Sequence, residues 1–508
     1  MKSSKEIKLG AILSYVIIFA NMIIGVLYTP ILTAKLGQSE YGLYSLVTSI
    51  ISYLTILDFG FGNAIIVYTA RYRVNNEKEK QEKLHGMFFL IYTVIGVIAG
   101  IIGAFIWLNT DKLFANSMST EEISKAKILL GILTFNLIVT FPLSVFSSII
   151  TAYEKFVFAK LLNLARIILN PIIMIILLNM GYKSVELVIL TTVLNITTLL
   201  LNFWYCKTKL HIKLKFGKLD FSVLKEIMSY SVWVFLNSII DKINLALDQF
   251  VLGIYVGTAA VAVYSVAGNL NQIYMNFSTA ISGVLLPRVT EMEERKASNE
   301  EFTDIFIKTG RLQYIVMALI LTGFVLYGRE FINLMWVGPE YDESYFIACI
   351  LMIPITVPLI QNVGINILQA KNLYKFRVII LFIFAIANVI ISIFLAKLYG
   401  SIGAAIGTAI ALTGGTIIGM NIFYNKKAGI NIKKFWKNIA KMSIPVVICI
   451  VLAIIMKYMC PINNNLTLIV HILGYTIVYA IFMWCLGMNK YEKDLVIKPF
   501  NKLKKRKD

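Results

Sequence analysis

Charge is scarce in this chain. Only 15% of its 508 residues are Asp, Glu, Lys or Arg, against about a quarter in a soluble protein of this size. Acidic residues are the scarcer sign, 28 against 48 basic, leaving a formal net charge of +20. Histidine is nearly absent: His85, His211 and His471 are scattered, mostly at the ends of apolar runs, and offer no cluster for catalysis. The five cysteines (Cys206, Cys349, Cys449, Cys460, Cys485) show no CxxC or paired spacing, which speaks against disulfides and against a metal site. No Walker loop occurs, so ATP hydrolysis by this chain is not expected. The loose GxG at 60–62 has no strand before it and reads as easing helix packing. The first apolar run continues past Pro30 with no A-x-A site, so no cleavable signal peptide is expected.

What is abundant is apolar surface. The chain is 58% hydrophobic with a mean hydropathy of +0.76. Apolar runs of 18 or more residues recur from end to end, each able to cross a bilayer as a helix. About fourteen spans are predicted, at roughly 9–33, 41–70, 84–108, 126–150, 157–180, 184–206, 228–254, 259–287, 308–328, 344–369, 374–397, 401–424, 440–459 and 466–487. The basic residues lie in short connectors, so they report orientation rather than nucleic-acid binding. With a cytoplasmic N-terminus, inside connectors hold about 38 Lys and Arg and outside ones about 8. Both termini are therefore expected in the cytoplasm. The longest outside connector, around 109–125, is under about 20 residues, so no soluble domain is expected. Any function is performed within the bilayer.

A shift of about 220 residues lays LGQSEYGLYSLVTSI (36–50) over VGTAAVAVYSVAGNL (256–270). Gly37 then matches Gly257, Tyr44 matches Tyr264 and Ser45 matches Ser265, while Asn21 falls on Asp241 and Tyr28 on Asp248. ITAYEK (150–155) falls near LQAKNL (368–373), and NFWYCK (202–207) near NIFYNK (421–426). The fold class this predicts is all-α integral membrane, with two pseudo-symmetric six-helix lobes plus a C-terminal helix pair. The division is 1–206 for spans 1–6, a cytoplasmic linker at 207–227, and 228–425 for spans 7–12. Spans 13 and 14 occupy 426–489, and a basic cytoplasmic tail fills 490–508.

Polar residues inside the spans are the candidates for function. In span 7, Asn237, Asp241, Asn244 and Asp248 follow at steps of four, three and four and form one stripe, flanked by Ser238, Lys242 and Gln249. Span 8 repeats the pattern with Ser265, Asn269, Gln272, Asn276 and Thr279. Span 1 has a sparser version in Ser14, Asn21 and Tyr28, and span 2 carries Thr48, Thr55 and Asp58. An ionised residue at mid-span costs about 2.5–3.5 kcal/mol and normally faces a bundle interior or water. Asp241 either pairs with a base on a neighbouring helix or faces a hydrated cavity. Lys242 has no acid three or four residues away, which favours the cavity. Arg166, between Asn163 and Asn170 on one face of span 5, either lines the same cavity or pairs with Asp58. Arg71 and Arg288 end spans 2 and 8 on the cytoplasmic side, as snorkelling anchors or as a basic mouth for phosphate headgroups.

The span count, the six-plus-six repeat, YGLYSL…LDFGFGNA (41–64) and SVWVFLNSIIDKINLALDQFVLG (231–253) resemble the polysaccharide flippases. These belong to the multidrug/oligosaccharidyl-lipid/polysaccharide exporter superfamily. The resemblance implies transport, not enzymatic chemistry and no cofactor: a polyprenyl-diphosphate-linked oligosaccharide moves from the inner to the outer leaflet of the bacterial plasma membrane. It further implies that spans 1, 2, 7 and 8 line a cavity between two lobes. The substrate-binding candidates are then Asn237, Asp241, Lys242, Asn244, Asp248, Asn269, Gln272, Asn276, Asn21 and Arg166, with Trp233 or Tyr274 as sugar-facing rings. Lys242 and Arg166 suit a diphosphate. Asp58, Asp241 and Asp248 are candidates for proton or sodium coupling. Partners are the lipid-linked oligosaccharide and membrane lipids, with no nucleic acid, and the chain is expected to act as a monomer. The alternative within the superfamily is a cation-coupled drug antiporter, which would carry an acid in span 1 where this chain has Asn21.

Overall fold

The computed structural model describes residues 2–217, 221–282 and 285–504, and the statements that follow concern these. Residues 505–508 of the basic tail and the side chain of Thr279 lie outside the described set. Among the described residues every regular element is helical and no strand occurs. Eleven helical segments are long and apolar enough to cross a membrane. A helix satisfies all its backbone groups internally, which is what hydrocarbon demands of runs this apolar.

Two compact units form, Met1–Ser265 with Ser392–Ala404, and Val266–Ile391 with Ala405–Asp508. The first holds α1 (Lys2–Leu36), α2 (Gln38–Leu54), α3 (Phe61–Val74), α4 (Lys78–Phe114), α5 (Thr120–Ala152), α6 (Phe156–Asn179), α7 (Ser184–Thr208), α8 (Phe221–Tyr255) and the start of α9 (Thr258–Ser282). α2 and α3 are one apolar segment, broken in its middle. Thr55–Asp58 tightens to a 3-10 turn, and Phe59 (φ 52°) and Gly60 (φ 72°) then adopt the left-handed conformation. Gly60 makes the break cheap. Gly62 serves packing, because a Cβ there would stand 3.2 Å from the Ser148 hydroxyl of α5. α8 packs on α2, where the Ser49 hydroxyl donates to the Ala246 carbonyl at 3.0 Å. At one end of the unit Glu40 accepts from the Ser184 hydroxyl (2.7 Å) and from Lys125 (3.1 Å). Beside it Glu122 closes a capping box with Ser119 and accepts from Thr258 at 2.7 Å.

The second unit continues with α10 (Leu286–Glu294), α11 (Asn299–Glu330), α12 (Glu343–Ile360), α13 (Val363–Ala370), α14 (Tyr374–Leu412) apart from Ser392–Ala404, α15 (Met420–Lys426), α16 (Ile432–Met459), α17 (Asn465–Phe482) and α18 (Lys490–Lys504). α14 reverses direction at Gly400 (φ 59°, ψ −137°). Asn388 accepts from Thr408 across the reversal at 3.1 Å, and Ser392 donates to the Ala404 carbonyl at 3.3 Å. The 53-residue run Tyr374–Lys426 is therefore a helical hairpin rather than one span. α16 and α17 pack on α11 around Tyr327, Met442, Tyr475 and Tyr479. α18 is held by Glu492, 1% exposed, which takes two hydrogen bonds from Arg311 at 2.6 and 2.9 Å.

The turns recur with the spacing of the sequence repeat. Left-handed residues stand at Gly37 and Gly257, Asn76 and Lys296, Glu154 and Asn372, Gly181 and Gly400, and His211 and Gly429, each pair about 218–220 positions apart. The local geometry repeats even where the side chains do not, since Glu154 and Asn372 share only their backbone conformation.

Candidate functional site

The polar stripe of α8 divides into two environments. The Asn237 amide donates to Asp241 at 2.8 Å, as residues one turn apart can. Asp241 is exposed, and Lys242 and Asn244 are half-buried. Lys242 takes part in none of the ion pairs among the described residues. One turn beyond Asn244 the stripe is covered. Asp248 is 2% exposed and accepts from the Tyr264 hydroxyl, and Gln249 donates to Ser265 at 3.1 Å. Tyr264 and Ser265 are themselves buried, so this stretch of α8 and α9 is a buried polar joint. Phe235 stacks on Phe59 with ring centroids 4.4 Å apart, setting the α8 stripe beside the break between α2 and α3.

Farther along α9, Gln272 is exposed and donates to the half-buried Asn276 at 3.2 Å, and Asn269 is half-buried. Trp233 is half-buried. Tyr274 is a core residue of the second unit, 1% exposed, with its hydroxyl at 2.7 Å from that of Thr356 and 3.2 Å from the Met317 carbonyl. Its ring is not available to a sugar.

Arg166 and Asn21 share a pocket of about 440 Å³ in the first unit, lined from α1, α2, α5, α6, α7 and Thr55, with no residue of α8 or α9. Arg166 donates to the Asn195 carbonyl oxygen at 2.9 Å. The Asn195 amide nitrogen in turn donates to Asn136 (2.9 Å) and Thr140 (2.8 Å). Asp58 is not the partner of Arg166: it accepts from the Tyr92 hydroxyl at 2.5 Å, in the broken stretch before α3. Sequence reading missed Asn136, Thr140 and Asn195. The signal was present, since Asn136 and Thr140 stand one turn apart in a mostly apolar span.

Arg71 is exposed, with its guanidinium 4.9 Å from the ring of Tyr68. Arg288 is exposed and lines a second pocket, about 450 Å³, that also takes in Arg295, Lys308 and Tyr491. Arg295 is paired with Glu301 there, and Lys308 lies 5.9 Å from the Tyr491 ring. Among the described residues no three His, Cys, Asp or Glu side chains gather to hold a metal ion.

Comparison with known proteins gives this geometry a context. The chain is 27% identical to the probable flippase AglR of Haloferax volcanii over 34% of its own length and 36% of that protein's. The match thus spans about a third of that relative. It is 22% identical to a putative O-antigen transporter of Shigella flexneri, over 75% of this chain and 88% of that one. The fold superposes on the lipid II flippase MurJ in an inward closed conformation with a TM-score of 0.73, at 20% identity, covering 96% of this chain and 99% of that one. A multidrug resistance transporter of the MATE family, inward-facing, follows at 0.61 and 14% identity, covering 80% and 94%. At such identities the likeness establishes the fold. Residues 7–293, more than half of the chain, match the family described as polysaccharide biosynthesis protein, and this multi-pass membrane protein belongs to that family.

Proposed function

We propose that the protein is a flippase that carries a polyprenyl-diphosphate-linked oligosaccharide from the cytoplasmic to the outer leaflet by alternating access. In this reading fourteen spans form two pseudo-symmetric six-helix lobes and a C-terminal pair, acting as a monomer in a bacterial plasma membrane with both termini cytoplasmic. The observation that carries it is the open stretch of α8, where Asn237, Asp241, Lys242 and Asn244 interrupt an apolar helix of a family member. Amides and carboxylates suit sugar hydroxyls, and an ammonium without an ion-pair partner among the described residues suits a diphosphate. Asn269, Gln272 and Asn276 of α9 extend the same chemistry. A hydrated path along the α8 groups lowers the cost of moving phosphate and sugar across hydrocarbon, while the lipid tail stays in the bilayer. Arg71 and Arg288 gather the headgroup at the cytoplasmic side. Of the candidate coupling acids, Asp241 is exposed, whereas Asp58 is half-buried and Asp248 buried, each accepting from a tyrosine hydroxyl.

The relatives named as flippases and as an O-antigen transporter favour this over drug antiport, as does the neutral Asn21 in span 1. The test follows lipid-linked oligosaccharide reaching the outer leaflet of proteoliposomes. Lys242→Ala is expected to lower flipping at least tenfold without loss of membrane protein, and Lys242→Arg to retain part of it. Transport at the wild-type rate by Lys242→Ala would remove the phosphate role assigned to this lysine. Asp241→Asn keeps the shape and loses the titratable charge, so it should abolish any dependence on a proton or sodium gradient.

A further inference from the structure

We propose that the pocket around Arg166 is a binding site for a small monovalent inorganic anion, a halide, held inside the first unit and separate from the substrate path. Arg166 is the eleventh of the 24 residues of α6, so its charge lies near the middle of a span. A guanidinium carries five N–H donors and cannot shed its proton at any physiological pH. Among the described residues it has one acceptor, the Asn195 carbonyl oxygen at 2.9 Å, and that acceptor is neutral. Both hydrogens of the Asn195 amide are spent on Asn136 and Thr140, which fixes the carbonyl toward the guanidinium. None of the sixteen residues lining the pocket is acidic, and no ion pair among the described residues includes Arg166.

A fixed charge at this depth without a counter-charge is costly, and a protein removes the cost by pairing it. Here the space for the partner exists: about 440 Å³, lined by Asn21, Asn170 and Thr191 as well as the network just described. Charge matching decides the class of ligand. One guanidinium is neutralised by one monovalent anion, whereas a diphosphate would leave excess negative charge in the same low-dielectric setting. Asn21 and Asn170, whose side chains line the same space, carry amide N–H groups that suit a halide's coordination. The inference does not depend on the flippase reading, because it concerns α1, α5, α6 and α7 and no residue assigned to the headgroup on α8 or α9.

Chloride binding to the purified full chain in nanodiscs tests it, starting from a chloride-free gluconate buffer and using radioactive chloride with unfolding temperature as a parallel readout. Saturable binding of about one chloride per chain is expected. Arg166→Gln should weaken it at least tenfold, and Arg166→Lys should weaken it less. The sharper variant is Asn195→Asp, which keeps the side-chain shape and places a carboxylate on the guanidinium. It should abolish chloride binding while unfolding in gluconate at or above the wild-type temperature. Lys242→Ala should bind chloride as the wild type does. The proposal is overturned by absence of saturable binding in the wild type or by full binding in Asn195→Asp. Loss in Lys242→Ala, or competitive displacement by inorganic pyrophosphate, overturns it equally, since either would place the anion with the headgroup.

Discussion

Asp241 and Asp248 lie two turns apart on one helix, and their surroundings differ because of what α9 brings over them. Tyr264 caps Asp248, which leaves it 2% exposed, while Asp241 is exposed and accepts from its own helix neighbour Asn237. The spacing of the stripe was legible in the sequence because helical periodicity is local. Which end is covered was not, since that depends on a contact sixteen residues away in another helix. The same limit applies to Arg166: its position in a span could be read, but its partner Asn195 is 29 residues distant. A difference in stability follows. Asp248→Ala takes a carboxylate acceptor from the buried Tyr264 hydroxyl and should lower stability by about 1–3 kcal/mol, whereas Asp241→Ala should change it by under about 0.5 kcal/mol. In a background lacking the five native cysteines, Asp241→Cys should react with a small charged thiol reagent and Ile240→Cys, 2% exposed in the native helix, should not. Equal rates at 240 and 241 would mean that this face is not water-lined.

At the scale of elements, the decisive contacts are close approaches and buried pairs between segments far apart in the chain. α2 meets the start of α9 so tightly that a Cβ on Gly42 would stand 1.9 Å from the Thr258 carbonyl oxygen. Gly131, within α5, has open space at the same position. Helix propensity favours Ala over Gly by about 1 kcal/mol at both sites. Gly131→Ala should therefore be neutral or stabilising in a thermal melt, and Gly42→Ala destabilising by about 1–3 kcal/mol despite the propensity gain. A melt unchanged by Gly42→Ala would show that the two helices separate without cost. The segment after 490 reads as a basic tail in the sequence, and composition hid its role. α18 carries Glu492 into a buried pair with Arg311, 181 residues earlier, and Arg311 also donates to the Gly487 carbonyl at 3.0 Å. Glu492→Ala leaves a buried guanidinium unpaired and should cost about 3–5 kcal/mol, visible as loss of folded protein on size-exclusion chromatography.

For the whole molecule, the open quantity is the number of crossings, and Gly400 decides it. Apolarity alone gives a single 53-residue run from Tyr374 to Lys426, which would carry the chain across once or lie partly outside the bilayer. The sequence reading divided this stretch near 398–400, and the φ of 59° at Gly400 with the Asn388–Thr408 and Ser392–Ala404 bonds makes it two antiparallel helices. Physical reasons made this division legible: a glycine preceded and followed by apolar runs long enough to span is where a reversal costs least. A hairpin returns the chain to the side it left. Exposed cysteines at Asn372 and Lys427 should therefore be labelled from the same side, and the proposed topology, with its excess of Lys and Arg in those connectors, predicts that this side is the cytoplasm. Cysteines at Asn76 and Lys296, whose turns repeat each other in conformation, should share it. Those at Ser119, Glu340 and Asn464 should be reached by an impermeant reagent from outside intact cells. Each of these positions is exposed, so failure to react reports sidedness rather than burial. Labelling of Lys427 from outside with Asn372 protected would make the run a single crossing, reverse the side of Asn464 and leave an odd number of spans. That would break the six-plus-six repeat and, with it, the pairing of α1 with α8 on which the proposed transport path rests.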